Sequence, residues 1–175
     1  MSMIIDGTNG LTFPNSTVQA SSGVVLQVVS VAKTDTFTTS STSYVDVTGL
    51  SVSITPKFST SKILVAYQFN GGSDPAVQGI FMQLVRNSTP IFVGDAAGSR
   101  PQATASATPN SQYSTCEVGG TYLDSPSTTS ATTYKIQMLV NGGAAGYVNR
   151  SSADRNTSLY DGRVSSSITV MEVSG

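Results

Sequence analysis

Histidine and tryptophan are absent from this 175-residue chain, and cysteine occurs once, at Cys116. Without histidine, a zinc finger, a His-based zinc enzyme and a Ser–His–Asp or Cys–His catalytic site are all excluded. A lone cysteine excludes an internal disulfide, so the scaffold must rest on packing or on oligomerisation. Charge is scarce as well. Only 11% of positions are Asp, Glu, Lys or Arg, against a usual share of about 25%. With a net charge of −1 and no cluster of Lys or Arg, the chain lacks the grouped cations that neutralise phosphates, so nucleic acid is not an expected partner. No apolar run approaches the roughly 20 residues of a membrane span. The start, Met1 to Asp6, has no basic residue and does not read as a secretory signal.

What is there points to architecture. The length suits one domain, and a hydrophobic fraction of 38% can build a core. About fifty positions are Ser or Thr, well above ordinary usage. Thr favours strands, and its hydroxyl keeps an outer face soluble without charge. Such a surface lets copies approach closely without like-charge repulsion. Strand patterns run through Val24–Lys33, Lys62–Phe69, Gly79–Arg86 and Ile168–Val173. Period-2 alternation places Ile63, Val65, Tyr67 and Phe69 on one face, and Tyr134, Ile136, Met138 and Val140 on another, with Thr133, Lys135 and Gln137 opposite. Gly79–Arg86 alternates less cleanly and reads as a strand covered on both sides. Weaker strands are expected at Tyr44–Val47, Leu50–Thr55, Ile91–Val93, Tyr113–Leu123 and Ala145–Asn149. Turn signals separate them: Asn70–Pro75, Asp124–Ser127, Asn141–Gly143 and Asp161–Gly162. No sustained 3.6-residue stripe occurs. The expectation is all-β, an antiparallel β-sandwich of about eight to ten strands. Residues 1–23 read as an extended arm with isolated apolar anchors, and 24–175 as a single sandwich domain. Gly94–Ser111 reads as a long loop held by a neighbouring molecule.

Candidate sites are few. Ten carboxylates are available, most of them in expected turns, where Asp bonds to nearby backbone. Asp154 and Asp161, with Asn149 and Asn156 nearby, form the densest run of oxygen ligands, but without the spacing of a calcium loop. Arg150, Arg155 and Arg163 in the same stretch would partly cancel these carboxylates or pair across a subunit contact. Asn70-Gly71-Gly72 and Asn141-Gly142-Gly143 read as hairpin turns, since neither leads into Lys-Ser/Thr or a helix. Cys116 reads as a small buried hydrophobe. The sequon-like triplets at Asn15, Asn87, Asn149 and Asn156 read as chance. No catalytic, cofactor or metal residues are assigned, and binding residues are left unassigned.

Gly10-Leu11-Thr12-Phe13-Pro14-Asn15-Ser16-Thr17-Val18-Gln19 resembles the Gly-x-x-Phe-Pro-Asp-Gly-Thr-x-Gln element of bacteriophage tail-fibre and virion-surface proteins, with Asn15-Ser16 in place of Asp-Gly. Ser43–Pro56 followed by Ser61–Val65 is similar to a strand pair of the same proteins. So are Asp124-Ser125-Pro126 leading to Thr132–Ile136, and the ending Ser167–Val173. The resemblance implies a non-enzymatic virion protein with a jelly-roll-like β-sandwich that assembles as a homotrimer. The chain carries no heptads or repeats that would build a shaft. A capsid decoration or cement protein is therefore the first expectation, with the major capsid protein or another virion protein as partner. A tail-fibre or receptor-binding head touching a host surface receptor is the alternative. Either places it on the virion, at the capsid surface or the tail.

Overall fold

The computed structural model describes residues 4–6, 10–12, 18–19, 23–74, 79–142, 145–157 and 159–175. Among them there is no helix, and the strands fall into two principal antiparallel sheets and one small one. In chain order the strands are β1 (Ile4–Asp6), β2 (Gly10–Thr12), β3 (Val18–Gln19), β4 (Val25–Lys33), β5 (Phe37–Thr39), β6 (Val45–Ile54) and β7 (Lys62–Ser73). There follow β8 (Ile80–Arg86), β9 (Thr89–Ile91), β10 (Ala105–Ala107), β11 (Cys116–Asp124), β12 (Thr132–Val140), β13 (Gly146–Val148) and β14 (Ser166–Val173).

A six-stranded sheet runs β4-β14-β7-β13-β5, with β11 on the other flank of β7. A five-stranded sheet runs β10-β8-β12-β6, with β9 also on β8. The alternation read from the sequence decides which residues meet. Ile63, Val65, Tyr67, Phe69, Ile168 and Val170 come from the first sheet. Val52, Ile54, Met82, Leu84, Tyr134, Ile136, Met138 and Val140 come from the second, and all belong to one core cluster. Removing one such side chain, as in Phe69→Ala, costs about 3–5 kcal/mol of lost transfer energy plus cavity.

Several expectations change in detail. Asn70-Gly71-Gly72 is not a hairpin turn: β7 continues to Ser73, with Gly71 paired to Cys116 and Val148 and Gly72 paired to Tyr147. The glycines serve close approach, because a Cβ at Gly72 would collide with the Arg150 carbonyl. Asn141-Gly142 does turn, with Gly142 at φ 94°, but it carries the chain from β12 in one sheet to β13 in the other and so is no hairpin. The two weak strands at Tyr44–Val47 and Leu50–Thr55 are one strand, β6, with its register shifted opposite Lys135/Gln137 and Gly49 at φ 86°. Gly94–Ser111 is held by its own chain and contains β10. The Gly94 N–H donates to the Ala103 carbonyl (3.0 Å), Thr104 N–H to that of Met82 (2.8 Å), and the Tyr44 hydroxyl to that of Gln102 (2.7 Å). Cys116 is half-buried and packs against the core cluster.

Within the stretch read as an arm, β1, β2 and β3 pair in sequence, Ile5 opposite Leu11 and Leu11 opposite Gln19. Phe13 to Thr17, the centre of the Phe-Pro element, lies outside the described residues, as do Pro75 and Gly143 of two turn signals.

Candidate interaction surface

The connection from β13 to β14 contains the oxygen-rich run Asn149, Asp154, Asn156 and Asp161. The structure disperses it. Asn149 is fully buried at φ 64°. Its side-chain amide donates to the carbonyls of Lys33 (2.8 Å) and Asp35 (2.9 Å), and its oxygen accepts from the Ser166 hydroxyl (2.6 Å). Asn156 is exposed. Asp161 accepts from Arg155 Nε at 2.6 Å, from the Arg155 backbone N–H at 2.9 Å and from the Ser151 hydroxyl at 3.1 Å. Asp154 pairs with Arg163 (2.8 Å) and Arg150 (3.4 Å). The three arginines therefore neutralise the two carboxylates within the chain. The Arg155 guanidinium holds the Asp161 carboxyl below its usual range, and Asp161 in turn raises Arg155. Among the described residues no group of three or more Cys, Asp or Glu stands together as a metal site.

The same ion pair builds an exposed loop tip. The Arg155 guanidinium carbon lies 4.2 Å from the ring centroid of Tyr113 and 4.8 Å from that of Tyr160. Tyr113 comes from the β10–β11 connection, which is tied to the β13–β14 connection by Ala153 N–H donating to the Gln112 carbonyl (2.9 Å). Tyr113 and Tyr160 are half-exposed or more, and Leu159 is 99% exposed. Leu159 sits at φ 73° and Asp161 at φ 52°, left-handed positions that cost a non-glycine residue about 1 kcal/mol or more. Nearby, the Tyr147 hydroxyl and Ala145 N–H each donate to Asp74 at 3.0 Å, and Ser152 donates to it as well. Burial opposes ionisation of Asp74, but these hydrogen bonds outweigh it and its pKa is lowered.

The remaining titratable clusters join elements inside the fold. Asp124 on β11 accepts from the Tyr134 hydroxyl on β12 at 2.6 Å and from Arg86 on β8 at 2.8 and 2.9 Å, linking the two sheets. Burial first, then the bond to Asp124, raises the Tyr134 pKa. Glu172 on β14 is fully buried and accepts from Gln27 (2.5 Å) and the Lys57 N–H (2.7 Å). Burial works against its charge, yet the donors from Gln27 and from the Lys57 and Phe58 backbone prevail and lower its pKa. With their oxygens taken up by structural donors, Asp124 and Glu172 are not positioned as a free acid–base pair.

The outer face of the five-stranded sheet is a polar ladder. Gln83 donates to Gln137 (2.7 Å), Gln137 to Asp46 (2.6 Å) and Lys135 to Asp46 (2.8 Å). At one end of this sheet, Thr42, Phe81, Ser99, Pro101, Leu139, Val140 and Asn141 line a shallow hollow of about 460 Å³. No titratable side chain lines it, so it can hold a group but cannot move a proton.

No protein-family model matches the chain, and no curated protein matches it in sequence. The Tyr113–Arg155–Tyr160 stack was not read from the sequence. Its members lie 42 and 5 residues apart in loops, and no local spacing announces them.

Proposed function

We propose that this chain is a non-enzymatic structural protein of a bacteriophage virion, a homotrimeric capsid-decoration or cement protein on the outer shell. Its domain is read as a jelly-roll-like β-sandwich. The observation that carries this reading is the use made of charge. The clustered carboxylates Asp74, Asp124, Asp154, Asp161 and Glu172 are taken up by donors of the same chain. What faces outward is largely hydroxyl, amide and half-exposed apolar surface, with scattered charges such as Asp35, Lys57, Asp95, Arg100 and Glu117. That composition suits contact with other proteins, where weak contacts gain strength when several are made at once. The segments that resemble phage virion proteins fall on β6, β7, β12 and β14, strands of both sheets. They support the scaffold assignment and identify no binding residue.

The test is binding to phage shells stripped of the protein. The expected result is saturable uptake of purified protein by emptied shells and its density at junctions between shell subunits. A well-folded protein that leaves the shells bare would overturn the reading.

The tip of Tyr113, Arg155, Leu159 and Tyr160 favours a second reading, a receptor-binding head. Tyr and Arg are enriched among residues that dominate binding, and their exposure here comes with left-handed backbone. Labelled protein that stains host cells, and loses staining on Tyr113→Ala or Tyr160→Ala, would select this reading over the first.

A further inference from the structure

The outward side of the six-stranded sheet carries an uninterrupted apolar row. Strand pairing sets Val28 opposite Met171, Met171 opposite Leu64, and Leu64 opposite Leu123, across β4, β14, β7 and β11. Their strand neighbours Ile63, Val65 and Val170 point into the core, so these four point away from it. Val28 is 55% exposed and Leu123 54%. The next row is Ser30, Thr169, Ala66 and Thr121, and the one after is Ala32, Ser167, Gln68 and Gly119. Twelve successive positions therefore carry no charge. On the other side of the apolar row, Val25 pairs with Val173, and Val24 and Val25 are each half-exposed. Lys62 borders the patch, and its ammonium is engaged by Ser125 at 2.9 Å.

We infer that this face is where copies of the chain meet, three around one axis, with the Val28–Met171–Leu64–Leu123 row forming an apolar layer inside. The inference rests on the self-assembly in the proposed function and names its surface. Three physical arguments select a second and third copy as the occupant. First, symmetry brings each residue near its own counterparts, which an uncharged face tolerates and a charged one does not. Second, four strands at about 4.8 Å spacing make a face about 19 Å wide. Three such faces closed into a prism stand about 5–6 Å from the axis, half the roughly 10 Å at which sheets pack, so the outward side chains fill the interior. Third, among the described residues β4 and β11 are each paired with a strand on one flank only. Closure by three brings the β4 edge of one copy beside the β11 edge of the next, covering both edges. A face-to-face pair leaves them without a strand partner. The face measures about 19 by 24 Å, below the roughly 800 Å² per partner of a standard two-body interface, so these edge contacts are needed to complete it.

The test is the mass in solution, by light scattering and sedimentation equilibrium, of the full chain and three variants. The wild type is expected at the mass of three 18.1 kDa chains at micromolar concentration. Met171→Glu and Thr169→Glu should raise the dissociation constant at least about 100-fold, while the strand circular dichroism is kept. Ser51→Glu, on the outer side of the other sheet, should remain trimeric. As a check that does not depend on weakening the fold, Val28→Cys with Leu123→Cys in a Cys116→Ser background should give disulfide-linked trimers. Within one chain these positions lie three strand spacings apart, about 14 Å, too far to be bridged. A monomeric or dimeric wild type, or a Met171→Glu protein as trimeric as the parent, would overturn the inference. Shell binding is scored separately. A trimer that ignores shells defeats the capsid reading alone, and a monomer that binds them defeats this inference and the trimeric state it rests on while leaving the shell-binding role standing.

Discussion

On the outer side of the five-stranded sheet, Asp46, Gln137 and Gln83 hydrogen-bond in a line across β6, β12 and β8. On the outer side of the six-stranded sheet, the corresponding line across four strands is Val28, Met171, Leu64 and Leu123. Both lines obey the same pairing geometry, and they leave different things undone. The amides and the carboxylate satisfy one another, so that line is complete in a single chain. The apolar line has no partner on its own sheet that removes it from water, and the free energy of covering it is still available. Two sheets that share one core thus present one finished line and one unfinished line.

Both faces depend on the sheets being held together, and Asp124 is the link that can be cut. Asp124→Ala leaves the Arg86 guanidinium and the buried Tyr134 hydroxyl without their acceptor. The expected loss is about 3–5 kcal/mol in urea denaturation, against about 1 kcal/mol for Tyr134→Phe. Equal small losses would mean that the clamp does not hold the sheets. Next in size is the polar line itself. Gln137→Leu strands the nearly buried Gln83 and should cost about 1–3 kcal/mol. Leu123→Gln, at a half-exposed position of the apolar line, should change the stability of the dissociated chain by no more than about 0.5 kcal/mol. Similar costs at both sites would erase the distinction between the faces.

Acid separates the faces further. Asp46 is held below its usual pKa by the hydrogen bonds from Lys135 and then Gln137, and Glu172 is lowered as described. A carboxyl with a depressed folded pKa adds stability that is present above the unfolded value, about 3.9–4.3, and is lost as pH falls through the folded value. Urea midpoints should therefore be flat from about pH 5.5 to 8, where no histidine titrates. They should decline below about pH 4, and Glu172→Gln should flatten that decline. The apolar row contains no titrating group, so association of still-folded chains should survive the same acid range in sedimentation. The smallest effect is salt. The Lys135–Asp46 pair is solvent-exposed on the Asp46 side, and 0.5 M NaCl should alter the denaturation midpoint by less than about 1 kcal/mol equivalent.

The inward residues were legible because each strand is an alternating string whose partner face is fixed by period 2. Ile63, Val65, Tyr67, Phe69 and the Tyr134–Val140 series could be placed before any tertiary contact was known. Gly79–Arg86, read as covered on both sides, does have both faces largely buried in β8. Ala145–Asn149 was read as a strand and holds the three-residue β13, but two other short strands were not legible. Phe37–Thr39 and Ala105–Ala107 have three residues each and little apolar pattern. They are strands because β13 and β8 offer them backbone partners. Asn70–Ser73 has turn composition but continues β7, where burial between Arg150 and Ile80 calls for glycine rather than for a bend. The arginines at 150, 155 and 163 were recognised as charge-cancelling, but which carboxylate each takes is a matter of loop geometry.

By itself the sequence determined the class of structure and the chemistry it lacks. Alternation, Thr and Ser content and turn residues dictate antiparallel sheets, and the absence of histidine and of paired cysteines removes whole families of sites. Only the tertiary structure decided what shares a surface. Val28, Leu64, Leu123 and Met171 are spread over 144 residues of chain and become one line through strand register. Register is a property of pairs of strands, set by hydrogen bonding between segments far apart in sequence, and no single segment encodes it.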